Sequence, residues 1–98
     1  MAQYDVCRLD GTTLVVDVQS DLNDQFITRA VIPLIPLDQD IGRTQGINPT
    51  MAIDGETYVL ATQYLATVRQ SQLGPTLTSI AGARDDITRA LDILFHGI

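Results

Sequence analysis

The chain has 98 residues, enough for one modest core, and 45% of them are hydrophobic, which excludes a disordered tail. Six arginines, with no lysine, stand against twelve acidic residues, so the formal net charge is −6. This charge opposes direct contact with a phosphate backbone, and we expect a single domain over residues 1–98 with a protein partner and no direct nucleic-acid binding.

The first predicted element is a β-hairpin. Asp10-Gly11 suits a tight turn between two strand-like runs. In the second run Leu14 and Val16 alternate with Val15 and Asp17, which has the period of a half-buried strand. The next stretch, DLNDQFITR, is polar and has no regular pattern of apolar residues, and it predicts a loop.

The run AVIPLIPL predicts a third strand. Pro33 and Pro36 lack backbone donors, so we expect this strand to end at a sheet edge or to bend. The stretch DQDIGRTQGINP that follows has two glycines and little periodicity, which predicts an excursion between strands.

A second hairpin is predicted around Asp54-Gly55, and the run ETYVLATQ forms one of its strands. The composition of LATVRQSQL would also allow a helix. Thr67 and Val68, with Gly74-Pro75 shortly after them, favour a strand instead.

The last segment changes to a helical period. Its apolar positions are Ile80, Ala83, Ile87, Ala90, Leu91, Leu94 and Ile98. Asp85 and Asp86 fit the positive N-terminal end of the helix dipole, and Gly97 fits the residue just past the helix end. The predicted fold class is therefore mostly β, an antiparallel sheet with one C-terminal amphipathic α-helix.

The chain shows no pattern typical of catalysis or of cofactor or metal binding: no phosphate loop, nucleophile elbow or paired histidines. His96 is the only histidine, and a surface position at the helix end is favoured over a general base. Asp17, Asp21 and Asp24 do not match a calcium loop and are interpreted as a solvated acidic rim. Cys7 is interpreted as a small strand residue. We expect no enzyme activity, no cofactor and no metal.

Four stretches occur together in the order and spacing of the CcdB family, the small toxins of plasmid-type toxin–antitoxin modules. They are VVDVQSDL, RAVIPL, INPTMAIDGETYVL and DITRALDILFHGI. The resemblance covers nearly the whole chain. It implies an SH3-like antiparallel β-barrel core with a C-terminal helix, and a symmetric homodimer.

The resemblance also implies a function. Such a homodimer enters the opened A subunit of DNA gyrase and traps the enzyme with cleaved DNA, and a cognate CcdA-like antitoxin neutralises it. The family's gyrase-contacting tail is tryptophan, glycine and isoleucine, which correspond here to His96, Gly97 and Ile98. A contacting asparagine of the same helix corresponds to Asp92.

A pair of isoleucines in the loop after the VDVQSD motif corresponds to Leu22 and Asn23. The departure at His96 matters most, since imidazole stacks over less area than indole and repels arginine when protonated. Two alternatives therefore stay open beside the gyrase poison. One is an mRNA-cleaving ribonuclease of similar fold, and the other is an inactive homologue that only binds antitoxin.

The expected location is the cytoplasm. The first residues lack the basic region and apolar run of a signal peptide, and the longest apolar stretch is too short to span a bilayer. A lone cysteine fits a reducing compartment.

Overall fold

The computed structural model describes residues 1–39 and 41–97. Over these ranges the chain forms a curled antiparallel sheet and one C-terminal helix, which confirms the predicted fold class. The strands are β1 (Asp5–Leu9), β2 (Thr13–Asp17), β3 (Thr28–Pro36), β4 (Thr50–Ile53), β5 (Glu56–Leu60), β6 (Ala66–Arg69) and β7 (Thr78–Ser79). Their order across the sheet is β4-β5-β3-β2-β1-β7, and β6 pairs with β3 as well.

Both predicted hairpins are present. Asp10 and Gly11 join β1 to β2 with φ angles of 51° and 74°. Asp54 and Gly55 join β4 to β5 with φ angles of 51° and 81°. Positive φ at both central residues gives a turn whose twist matches the flanking strands, which explains the preference for Asp-Gly at these sites.

Of the two alternatives predicted for the third strand, the sheet edge is wrong, because β3 pairs with other strands on both sides. On one side it pairs with β2 as far as Pro33. On the other side it pairs with β6 over residues 28–31 and then with β5 over residues 34–36. Pro33 therefore lies where β3 changes partner, a position that tolerates a missing backbone donor. The prediction for LATVRQSQL is right only in its first half, since β6 ends at Arg69 and a 3-10 turn follows.

The middle of the sheet is buried on both faces, so β2 is not half-buried as predicted. The larger core packs one face of the sheet against the helix and is built from Val6, Leu14, Val16, Ile32, Leu34, Met51, Ile53, Leu60, Ile87 and Ala90. A smaller core on the opposite face consists of Cys7, Val15 and Val31, covered by Met1, Leu9, Val68 and Leu73.

The helix α1 (Arg84–His96) is the one predicted from the helical period. Ile87 and Ala90 are fully buried, and Asp85 and Asp86 lie in the first turn. Gly97 adopts the left-handed conformation at φ 74°, and its N–H donates to the Ile93 carbonyl at 2.9 Å. This confirms the predicted glycine cap. In the part of the chain that the structure describes, no helix is long and apolar enough to cross a membrane.

Candidate partner-binding site

The C-terminal end of α1 presents several of the predicted site residues to solvent. Asp92 and His96 are four residues apart, so they are neighbours on one exposed face of the helix. Gly97 is exposed as well, and Phe95 beside them keeps 62% of its surface accessible. Ile98, the last residue predicted for this site, lies outside the described residues. The helix end therefore offers a carboxylate, an imidazole and an aromatic ring together.

A loop before β4 supports this end of the helix. A Cβ added to Gly46 would lie 2.8 Å from Ile93 Cδ1, so the loop backbone lies directly against the tip of the Ile93 side chain. Gly46 also has φ 87°, which disfavours any other residue. Neither feature was predicted from the sequence.

Asn48 holds the same loop in place. Its side chain is buried and makes three hydrogen bonds: Oδ1 accepts from the Thr44 N–H at 2.9 Å, and Nδ2 donates to the Leu60 carbonyl at 2.9 Å and to Gln63 Oε1 at 2.7 Å. Thr62 adds a bond from its hydroxyl to the carbonyl of Ile47. Residues 44–48 of the stretch that the sequence marked only as an excursion therefore form an ordered support.

The other two predicted residues, Leu22 and Asn23, lie in a 3-10 turn between β2 and β3, Asp21–Asn23. Leu22 exposes 89% of its surface. Phe26 and Ile27, at 53% and 75%, extend the exposed apolar surface of the same loop. The family resemblance predicts Leu22 as a contact, but the interpretation of DLNDQFITR as a polar loop does not include Phe26 and Ile27, although these large apolar residues were the available signal.

The two groups of predicted residues rest on different supports. The turn is tied to Gln3 and Gln19, whereas the helix end packs against the loop at Gly46. No hydrogen bond joins the groups anywhere in residues 1–39 and 41–97. Within one chain they are thus two exposed surfaces, each held by its own contacts.

At the end of β2, next to the turn that carries Leu22 and Asn23, lies a buried ion pair that corrects the predicted acidic rim. Asp21 and Asp24 are exposed as expected, but Asp17 is fully buried. Its Oδ2 accepts a hydrogen bond from Arg29 Nε at 2.7 Å. Arg29 Nη2 also lies 2.7 Å from Oδ2, which adds a charge contact without a hydrogen bond of its own. With 1% exposure, Arg29 is not available to an RNA phosphate in this conformation.

Cys7 and the acidic residues give no sign of a reactive centre. Burial raises the pKa of the Cys7 thiol, and the nearby carboxylates of Asp17 and Asp5 raise it further, so the thiol stays protonated at neutral pH. Among the described residues, no three histidine, cysteine or acidic side chains cluster as metal ligands do.

Comparison with known proteins adds two findings. A family model described as "CcdB protein" matches residues 3–97. The fold is also similar to a solved structure, "Endoribonuclease in complex with its cognate antitoxin from Mycobacterial species". That match has a TM-score of 0.77 and 19% identity, over 94% of this chain and 91% of the other. At this identity the likeness establishes a shared fold.

Proposed function

Because the chain belongs to the CcdB family, a family of toxins from toxin–antitoxin modules, we propose that it poisons DNA gyrase by binding its A subunit. In this proposal the chain acts as a homodimer, traps gyrase with cleaved DNA, and is neutralised by a cognate antitoxin. It catalyses no reaction itself. The family match supports the toxin role, and the shared fold of a toxin solved with its antitoxin is consistent with an antitoxin partner.

The observation that carries the proposal is the exposed end of α1. Asp92, Phe95 and His96 project from its last turns, and the Gly97 cap ends the helix in a defined conformation. An ordered, exposed aromatic and charged cluster is what a binding hot spot requires. Asp92 would pair with a basic group of gyrase, while His96 and Phe95 would stack on its apolar or guanidinium surfaces.

A twofold axis would let one chain's surfaces act in pairs. A symmetric dimer presents two helix ends and two Leu22–Asn23 turns, and the gyrase A subunit is itself a symmetric dimer. Two matched contacts raise the effective affinity over either contact alone. This helps to offset the smaller stacking area of His96 in place of tryptophan.

RNA cleavage is the second candidate, since the fold is shared with an endoribonuclease. The structure gives it less support. Arg29 is buried against Asp17, and the net charge is −6. The other five arginines are exposed and lie on β1, in the loop before β4, on β6 and on α1. A ribonuclease needs a basic groove that gathers the substrate phosphate and an acid or base beside it.

The deciding experiment incubates the purified protein with gyrase, ATP and supercoiled plasmid, and measures linear DNA after detergent and protease treatment. We expect linear DNA to accumulate with the wild type. Deletion of Gly97-Ile98 should abolish it, and His96→Ala should reduce it at least about tenfold, as expected of a contact worth ~1.4 kcal/mol. Thr57→Ala, at an exposed position of β5, is the matched control.

Three outcomes separate the candidates. Absence of linear DNA at saturating wild-type protein would refute poisoning of that gyrase. Cleavage of a single-stranded RNA in a parallel reaction would favour the ribonuclease instead. A truncated protein that keeps its circular dichroism spectrum and still yields linear DNA would remove the tail from the binding site.

A further inference from the structure

The turn that carries Leu22 has no hydrophobic anchor of its own. None of its residues, Asp21–Asn23, is buried, and Leu22 exposes 89% of its surface. A short turn without buried side chains is ordinarily mobile, because nothing offsets the entropy of ordering it. Its order must therefore come from polar contacts with the flanking chain.

Gln19 supplies contacts on both sides of this loop. Its Nε2 donates to the Asn23 carbonyl at 2.7 Å, while its Oε1 accepts from the Ala30 N–H at 3.0 Å. Its backbone N–H donates to Asp17 Oδ1 at 2.9 Å, and Asp17 is held in turn by Arg29. One side-chain amide thus joins the turn to the start of β3 and uses its donor and its acceptor at once.

Gln3 braces the same turn from the N-terminal segment. Its backbone N–H donates to Asp21 Oδ1 at 2.8 Å, and its Nε2 donates to the Val18 carbonyl at 3.2 Å. The next residue, Tyr4, has φ 71°, and its N–H donates to the Asp17 carbonyl at 2.6 Å. The segment that places Gln3 is thereby fixed against the end of β2.

From these contacts we infer that Gln19 is a positioning residue, assisted by Gln3, that holds Leu22 and Asn23 in the conformation that binds gyrase. The inference rests on the proposed function and adds to it a residue that itself lies behind the contact surface. A turn ordered in advance avoids the entropy cost of ordering on binding, so its affinity exceeds that of a mobile turn with the same side chains.

The test compares four variants for binding to the isolated gyrase A subunit by titration calorimetry, and for amide hydrogen exchange of residues 22–24 by NMR. Gln19→Ala removes the donor and the acceptor together. Leu22→Ala removes a contact but keeps the support. Gln25→Ala is the matched control, an exposed glutamine of the same loop.

We expect Gln19→Ala to weaken binding about tenfold and to speed amide exchange at residues 22–24, because the turn loses its bracing. Gln19→Glu keeps the acceptor but places a carboxylate against the Asn23 carbonyl, so it should weaken binding as well. Leu22→Ala should weaken binding with exchange unchanged, and Gln25→Ala should change neither.

If Gln19→Ala bound gyrase with wild-type affinity while Leu22→Ala bound more weakly, the inference would be overturned and the proposed function would stand. Unchanged exchange in Gln19→Ala would overturn it too, as would full affinity in Leu22→Ala, since the turn would then lie outside the contact. Failure of the wild type itself to bind would overturn the proposed function, and the inference with it.

Discussion

Removal of Asp17 should destabilise the protein strongly, because it would leave a buried arginine without its counter-charge. Arg29 is 1% exposed, and Asp17 is its ion-pair partner. Asp17→Ala takes away the 2.7 Å hydrogen bond to Arg29 Nε and the 2.7 Å charge contact to Nη2. It also takes away the acceptor of the Gln19 N–H, at 2.9 Å.

The expected cost follows from these losses. Breaking a buried pair by removing one partner costs ~3–5 kcal/mol, since the remaining charge stays desolvated. A domain of this size has a free energy of unfolding of ~5–15 kcal/mol, so the change takes a large share of the total. Replacing both partners together, as in Asp17→Leu with Arg29→Met, removes the stranded charge. The double variant should therefore be more stable than Asp17→Ala.

Urea denaturation followed by circular dichroism measures these differences. We expect the Asp17→Ala midpoint to fall with little change in the m-value, and the double variant to recover part of the loss. Asp24→Ala, at an exposed aspartate of the neighbouring loop, controls for the loss of a carboxylate as such. If Asp17→Ala cost less than ~1 kcal/mol, or if the double variant were less stable than Asp17→Ala, the unpaired charge of Arg29 would not be the cause of the destabilisation.

Two further predictions concern a loop glycine and the smaller core. Gly46→Ala should destabilise by ~1–3 kcal/mol in urea denaturation, because its φ is 87° and the added Cβ would displace the tip of the Ile93 side chain, 2.8 Å away. Gly55→Ala, with φ 81° and open space, should cost ~1–2 kcal/mol. A Gly46→Ala protein as stable as the wild type would contradict this. Cys7 has a folded-state pKa raised above its ordinary value of 9.0, so the folded state holds the thiol proton and stability should fall as pH rises through 9.0. The stability gap between wild type and Cys7→Ala should therefore narrow in alkali, and a gap independent of pH would refute this.

The hairpins and the helix could be predicted from the sequence because their signals are local. Asp-Gly pairs favour a tight hairpin turn, and the spacing of Ile87, Ala90 and Leu91 indicates a helix. The place of β3 in the sheet could not be predicted in this way. Proline only removes a donor, and whether a partner strand needs that donor depends on where β2, β5 and β6 lie.

The burial of Asp17 in an ion pair was not predicted for a similar reason. In sequence it stands with two other aspartates, which favoured a solvated rim. Its partner Arg29 is twelve residues away, across a loop. The pair exists because Val31 lies opposite Asp17 in the sheet, and Arg29, two residues from Val31, falls on the same face. Such a contact depends on the register of β2 against β3, which alternation within one strand does not specify.

The candidate site shows what sequence and structure each contribute. Asp92, His96 and Leu22 came from a family resemblance, because exposed contact residues follow no periodicity of their own. Their supports came from the structure: a loop that approaches the helix at Gly46, and a glutamine amide that spans the other loop at Gln19. Contact residues must stay exposed to meet a partner, so they add little to the core. Their positions therefore depend on polar and steric supports behind them, and substitutions at those supports should alter binding without touching the partner.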